Sequence, residues 1–255
     1  MADFKDERNG TGTKEWSETS INIQKGCQND CMYCYAAQMA NRFGWRKRED
    51  WAREELTKVA TRKSFPAREG VVMFPTSHDI TPFNIEGSIR VLKLNLEKGN
   101  KVLIVSKPRL ECISRLVAEL EPWKAQVMFR FTIGTLREET SKFWEPGAPL
   151  PSERLACLSL AFEAGFETSV SSEPMLGGVE STITVVEACR PYITDTIWLG
   201  KMNRVQVAPE HAEAAKEIKR LQRDDEIMKL YRHYEKDLLV SWKDSIKAVV
   251  IKDNK

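Results

Sequence analysis

Apolar and polar positions along this chain follow two rhythms that take turns. Short apolar and β-branched runs, such as Val71 to Phe74 and Val102 to Ser106, are each followed by a longer amphipathic stretch. Repetition of the two is the pattern of βα units built around a parallel sheet, which sets the fold class as α/β. Six strands are predicted: Thr19 to Gln24, Val71 to Phe74, Val102 to Ser106, Val127 to Ile133, Glu167 to Ser172 and Thr196 to Leu199. Helices are predicted over Arg48 to Arg62, Glu86 to Glu97, Arg109 to Leu120, Ser152 to Ala164 and Glu180 to Cys189. Gly99 and Gly165 fall where a helix stops and a strand begins, as a residue that tolerates positive φ should. Pro151, followed by Ser152 and Glu153, opens one helix, while Pro108 and Pro122 mark turns.

Beyond the sixth strand, Pro209 to Asp237 reads as one long charged helix or two shorter ones, with Leu221, Ile227, Met228, Leu230 and Tyr231 as its apolar stripe. Leu238 to Ile251 is expected to be partly extended, with Ile246, Val249, Val250 and Ile251 adding a closing strand or covering the bottom of the barrel. The chain therefore divides into an N-terminal extension (1–18), a core (19–205) and a C-terminal helix and closing segment of the same domain (206–255). A length of 255 residues with 42% apolar side chains suits one large globular α/β domain. Residues 1–13 are polar and no stretch reaches membrane-spanning length, so a cytoplasmic, reduced protein without a membrane partner is expected. The net charge of +2 speaks neither for nor against a nucleic-acid partner.

One run constrains the chemistry more tightly than any other: Cys27, Cys31 and Cys34, at CxxxCxxC spacing directly after the first predicted strand. Three thiolates so close in sequence can ligate three irons of an iron–sulfur cube and leave the fourth open to a non-protein ligand. Structural zinc needs four protein ligands, and His78, His211 and His233 bear no spacing relation to the run. A disulfide framework leaves an odd thiol. Cys112, Cys157 and Cys189 stand singly among apolar neighbours and read as core residues.

With Tyr33 just before the third cysteine, the run Cys27-x-x-x-Cys31-x-Tyr33-Cys34 resembles the signature of the radical S-adenosylmethionine (SAM) enzymes. The resemblance implies a [4Fe–4S] cluster on the cysteines and SAM chelating its open iron through the amino and carboxylate groups. It also implies reductive cleavage of SAM to a 5′-deoxyadenosyl radical, an external one-electron donor of the flavodoxin or ferredoxin type, and a partial (β/α)6 barrel of the TIM type with a C-terminal helical extension. Several further stretches are similar to the spore photoproduct lyase-like subgroup: Thr76-Ser77-His78-Asp79-Ile80-Thr81-Pro82, Val105-Ser106-Lys107, Phe131-Thr132-Ile133-Gly134, and Glu145-Pro146-Gly147. Ser171 to Gly177 also resembles phage-associated radical SAM proteins of undefined activity. One departure matters: where spore photoproduct lyases carry a hydrogen-donating cysteine beside the Thr-Ser pair, this chain has Pro75, which leaves no thiol there to quench a substrate radical.

Strand-end residues become cofactor candidates on this reading, because loops at the carboxyl ends of barrel strands converge on one mouth. Lys107 can neutralise the carboxylate of SAM, and Thr76, Ser77 and Thr132 can donate hydroxyl hydrogen bonds to its amino-acid or ribose parts. Tyr33 lies where the family's backbone approaches the adenine, Tyr35 reads as packing, and Glu173 can accept from cofactor or substrate. Asn203 and Arg204 are substrate-contact candidates, and His78 with Asp79 either transfers a proton or orders the loop. Arg42, Arg46, Lys47, Arg48, Arg53, Arg62 and Lys63, with Trp45 and Trp51 among them, suit a nucleic-acid backbone. A solvated helix with both tryptophans in the core explains the same letters. The subgroup likeness favours a nucleic acid or nucleotide substrate over a peptide or small metabolite; a non-catalytic zinc- or cluster-binding accessory module is the alternative from another class.

Overall fold

The computed structural model describes residues 12–203 and 207–253. The chain enters through a short 3-10 turn, Gly12–Glu15, and then two brief strands, β1 (Thr19–Ser20) and β2 (Gln24–Lys25), lead to helix α1 (Tyr35–Arg42) and strand β3 (Glu55–Leu56). Regular βα units follow: β4 (Val71–Phe74), α2 (Ile85–Leu96), β5 (Lys101–Ser106), α3 (Leu110–Leu120) and β6 (Val127–Thr132). Two helices, α4 (Glu138–Trp144) and α5 (Pro151–Glu163), precede β7 (Glu167–Ser172), α6 (Val179–Cys189) and β8 (Ile197–Leu199). Helices α7 (Ala212–Leu221) and α8 (Asp224–Tyr234), strand β9 (Val240–Trp242) and helix α9 (Asp244–Asp253) complete the described chain.

Seven strands form one sheet in the order β1-β4-β5-β6-β7-β8-β9, every pair parallel. Spatial order follows chain order, so each crossover moves the sheet on in one direction and the helices collect on one face. The result is a partial (β/α) barrel whose outermost strands, β1 and β9, each have a single strand neighbour.

Period-two alternation along the strands separates the barrel's two faces. Phe74, Ile104, Phe129, Phe131, Val170 and Leu199 point outward into the main apolar core, where α2, α3, α5, α6, α8 and α9 cover them. Cys112, Cys157 and Cys189 lie fully buried in this layer, as expected. Inward positions are more polar. Val71, Leu103 and Met128 pack with Trp16 and Val105, and Trp16 lies between two buried cations, 4.8 Å from the Arg130 guanidinium and 4.0 Å from Lys243 Nζ. Arg130 pairs with Asp195 at 3.1 Å; Lys243 pairs with Glu15 at 3.0 Å and Glu173 at 3.3 Å. The turn carrying Glu15 and Trp16 thus fills the lumen from beneath, and its charges are paired, as buried charges must be.

Three expectations need correction, and one open alternative is settled. The first predicted strand, Thr19 to Gln24, is split: β1 joins the barrel, while β2 turns away to pair antiparallel with β3. The helix predicted over Arg48 to Arg62 does not form. That segment makes two 3-10 turns around β3 because its polar groups are spent on tertiary hydrogen bonds, which outweigh local propensity. The barrel has a seventh strand, but β9 provides it, while Ile246, Val249, Val250 and Ile251 lie in α9. Positions 246, 249 and 250 are spaced three and four apart, a helical stripe that faces the core. The charged stretch after β8 resolves into two helices, α7 and α8, with Ile227, Met228 and Leu230 buried. Among the described residues no helix is long and apolar enough to cross a membrane.

Phe129 is fully buried and meets Phe131 and Phe166 at ring separations of 5.5 and 5.2 Å. Phe129→Ala should therefore lower the stability by about 3–5 kcal/mol, read from the urea unfolding midpoint at unchanged slope.

Candidate functional site at the strand ends

The cysteine loop is shaped by its neighbours before any ligand is considered. Gly26 has φ 77°, and a Cβ there would collide with the carbonyls of Trp51 and Arg53. That close approach lets Cys27 N donate to Trp51 O at 2.8 Å. Asp30 turns the loop in the left-handed region at φ 43°, where an aspartate is tolerated, and pairs with the Arg48 guanidinium. Arg48 also donates to the carbonyl of Cys31 at 3.3 Å. Cys34 caps α1: its sulfur accepts from Ala37 N at 3.4 Å. On the other side Arg109 ties the loop down, donating to Asn29 Oδ1 at 2.9 Å and Gly147 O at 2.6 Å.

Cys27, Cys31 and Cys34 border one cavity of about 840 Å³ at the carboxyl ends of the strands. Tyr33, Thr76, Ser77, Lys107, Thr132 and Glu173, all cofactor candidates from sequence, line the same cavity, as does Asn203. Arg204 lies outside the described residues. Among the described residues no set of three or more His, Cys, Asp or Glu side chains is drawn together tightly enough for a single metal ion. The three cysteines line one cavity instead, and a set of soft thiol residues around one space, with Lys107 among them, fits a polynuclear iron–sulfur group. Burial pushes all three thiols up, Cys31 to about 12, so at neutral pH they keep their protons, which a metal taking them as thiolates would have to displace.

Beneath the loop lies a buried ionic network. Glu145, 1% exposed, receives the Tyr33 hydroxyl, pairs with Arg154 at 2.6 Å and stands 3.8 Å from Lys107 Nζ. Arg154 also donates to Pro149 O, Thr132 O and Ser141 Oγ. Lys107 Nζ reaches Asp79 Oδ2 at 4.0 Å and lies 5.6 Å from the Tyr33 ring centroid. Although burial works against its charge, the ammonium, beside the Cys31 sulfur and between Asp79 and Glu145, holds its proton more tightly than usual. Burial likewise opposes the charge of Asp79, but Lys107 and hydrogen bonds from the Lys107 amide, Asn29 and Ser106 keep its carboxyl below the ordinary range.

Sequence reasoning does not single out Glu145 and Arg154, which the structure places in the network beneath the loop. In sequence Glu145 stands only as part of a Glu-Pro-Gly stretch, and nothing local says that its carboxylate turns inward to meet Tyr33, 112 positions away. His78 does not pair with the Asp79 carboxylate. Its Nε2 accepts from Ile23 N at 3.2 Å and its Nδ1 faces the Asp79 carbonyl at 3.0 Å, so it orders the loop. Asn22 bonds Thr76 Oγ1 and the amides of Thr76 and Ser77, which fixes that turn. Pro75 is buried against the cavity, and Cys112, Cys157 and Cys189 are absent from its lining. The tryptophans of the basic region divide: Trp51 packs beside Cys27, but Trp45 faces solvent, and Tyr35 is exposed rather than packed. Arg46 and Arg48 are taken by the loop, since Arg46 donates to Lys25 O and Arg53 O and pairs with Glu55.

A parallel partial barrel with a three-cysteine loop at its mouth defines a class, and the comparisons agree with it. The chain belongs to the radical SAM superfamily, whose family model matches residues 21–190. It is 27% identical over 183 residues to the uncharacterized protein ORF301 of Acidianus two-tailed virus, covering 66% of this chain and 60% of that one. The chain thus spans less than two thirds of that relative. Among solved structures it is similar in fold to spore photoproduct lyase complexed with dinucleoside spore photoproduct, at TM-score 0.56 and 13% identity, over 89% of this chain and 76% of that one. Streptococcus suis SuiB bound to precursor peptide SuiA is similar at TM-score 0.52 and 12% identity, over 71% of this chain and 40% of that one.

Glu145→Ala strands Arg154 and Lys107 without their shared partner and should cost about 3–5 kcal/mol in urea unfolding. Burial holds His78 below its ordinary pKa, so the unfolded chain binds its proton first as pH falls. Stability of the metal-free protein should therefore decline below about pH 6.5, and His78→Asn should flatten that decline in unfolding measurements across pH.

Proposed function

We propose that this protein is a radical SAM enzyme in which Cys27, Cys31 and Cys34 hold a [4Fe–4S] cluster and SAM binds at its open iron. The observation that carries the reading is that the three cysteines and the strand-end polar residues line one cavity. When bound, the pair supplies one-electron cleavage of the sulfonium to methionine and a 5′-deoxyadenosyl radical.

The protein's part is to bind, orient and shield. Lys107, with its proton held firmly, presents a fixed positive charge to a carboxylate in the cavity. Thr76 and Ser77, whose turn Asn22 fixes, and Thr132, whose carbonyl is bonded to Arg154, offer hydroxyls to the amino-acid and ribose parts. Tyr33 is kept protonated by burial, with Glu145 beside it, so it stays a hydrogen-bond donor and holds the loop backbone where an adenine can approach. Glu173, backed by Lys243, faces the same space from the opposite strand and can accept from ribose or substrate. Met73, Pro75, Val105 and Pro174 give that space apolar walls, which limit water around a reactive radical.

For substrate, a nucleic acid or nucleotide is favoured. The subgroup likeness supports it, and a neighbour of the same fold is complexed with a dinucleoside. Radical quenching by a thiol at position 75 is excluded, because proline stands there.

Anaerobically reconstituted protein should show cluster absorbance and produce 5′-deoxyadenosine from SAM under dithionite, and Cys31→Ala should lose both. A full iron complement without cleavage would refute the enzyme reading. With deuterium-labelled nucleotides, label should appear in 5′-deoxyadenosine; transfer from labelled peptides alone would move the substrate to another class.

A further inference from the structure

Trp51 lies outside the cysteine run in sequence but is built into it in space. Its backbone is held on both sides: Trp51 N donates to Arg48 O at 3.1 Å, and Trp51 O accepts from Cys27 N at 2.8 Å. The side chain packs in a buried cluster with Cys27, Ala37 and Ala40, against which Cys34 and Ala36 also pack. Trp51 is 4% exposed and lines the same cavity as the three cysteines.

One atom of that ring is left without a role. The indole Nε1 is buried and has no hydrogen-bond partner among the described residues. An indole N–H can only donate, and a buried donor left unpaired is costly. Alanine side chains carry no acceptor, so the side-chain lone pairs in this cluster belong to the sulfurs of Cys27 and Cys34. Cys34 Sγ already accepts from Ala37 N at 3.4 Å. The Cys27 thiol donates toward Asp79 Oδ2 at 3.9 Å, and a thiol sulfur is itself a weak acceptor. A thiolate is a different acceptor, because its negative charge strengthens the N–H bond it receives. Trp16 and Trp198 also carry buried, unpaired Nε1 atoms, yet their rings lie against the Lys243 ammonium and the Arg130 guanidinium, which offer no lone pair. Of these three indoles, Trp51 is the one that shares its cluster with thiols.

We propose that Trp51 tunes the reduction potential of the iron–sulfur group by donating its Nε1–H to the Cys27 thiolate once the loop is loaded. The inference rests on the reading of the cysteines as cluster ligands. Trp51 is a positioning residue: it acts on a ligand sulfur and not on substrate. Reduction adds one electron from the reductant and moves no atom, so the sulfurs gain negative charge that a fixed donor stabilises. The donor therefore raises the potential, and its removal lowers it.

The test reads the potential rather than turnover. Protein reconstituted with iron and sulfide is titrated with dithionite in the absence of SAM, and the reduced signal is followed by electron paramagnetic resonance. Trp51→Phe keeps an aromatic ring and loses the donor. At wild-type iron and sulfide content it should be about tenfold harder to reduce, a midpoint lower by about 59 mV for one electron. A second measurement uses the wild type, with 15N in the indole of all seven tryptophans. The unpaired electron of the reduced protein should couple to 15N, since among the described residues Trp51 is the tryptophan that lines the cavity. A loaded Trp51→Phe with a midpoint equal to or above wild type, or a 15N coupling that survives in it, would overturn the proposal. Where Trp51→Phe loads poorly, the wild-type coupling decides, and its absence overturns the proposal. Failure of the wild type to take up iron and sulfide would instead sink the cluster reading, and this inference with it.

Discussion

Glu145 is the point on which the site depends. Its buried carboxylate joins the cysteine loop through Tyr33, the helix layer through Arg154, and the end of β5 through Lys107. Arg154 in turn holds the Thr132 carbonyl, which fixes the next strand end. A carboxylate taken out of water is costly unless its charge and lone pairs are met, so the network holds only when all its members are in place. The cavity's floor is therefore set by long-range charge pairing rather than by the loop's own conformation. Asp79 repeats the device on the other flank, where it closes the end of β5 and stands 3.9 Å from the Cys27 sulfur.

The barrel explains why such a network can form. Parallel strands in chain order bring every strand's carboxyl end to one side, so residues far apart in sequence meet there without long loops. The lumen below is filled by Trp16 and its two cations, which keeps the open space at the mouth. Outside the loop, residues 42–53 give up regular helix to bond its backbone, and the cost of that irregular chain is offset by hydrogen bonds to Gly26's neighbours and to Cys31.

Much of this was legible in the sequence, and the reason is periodicity. The strands from Val71 onward and their helices follow two-fold and 3.6-fold rhythms that local packing enforces. The cysteine loop stood out by the close spacing of Cys27, Cys31 and Cys34, which the structure places along one cavity. Strand ends gave Lys107, Thr76 and Thr132 by position alone. What was not legible depends on distant partners: the loss of a helix at 48–62 to loop-holding bonds, the inward turn of Glu145, and the exposure of Trp45. In the closing segment the helical spacing of Ile246, Val249 and Val250 was available but was outweighed by their β-branched side chains, whose strand preference yields to a buried helical stripe.

Cys27, Cys31 and Cys34 are proposed to hold an iron–sulfur cluster with one iron open to SAM. Electron paramagnetic resonance of the reduced, reconstituted protein with and without SAM tests it most directly, read beside iron and sulfide content. About four irons and four sulfides per chain, with a cluster signal that changes on adding SAM, is the predicted result. One bound zinc without iron or sulfide, or a cluster signal indifferent to SAM, would contradict it.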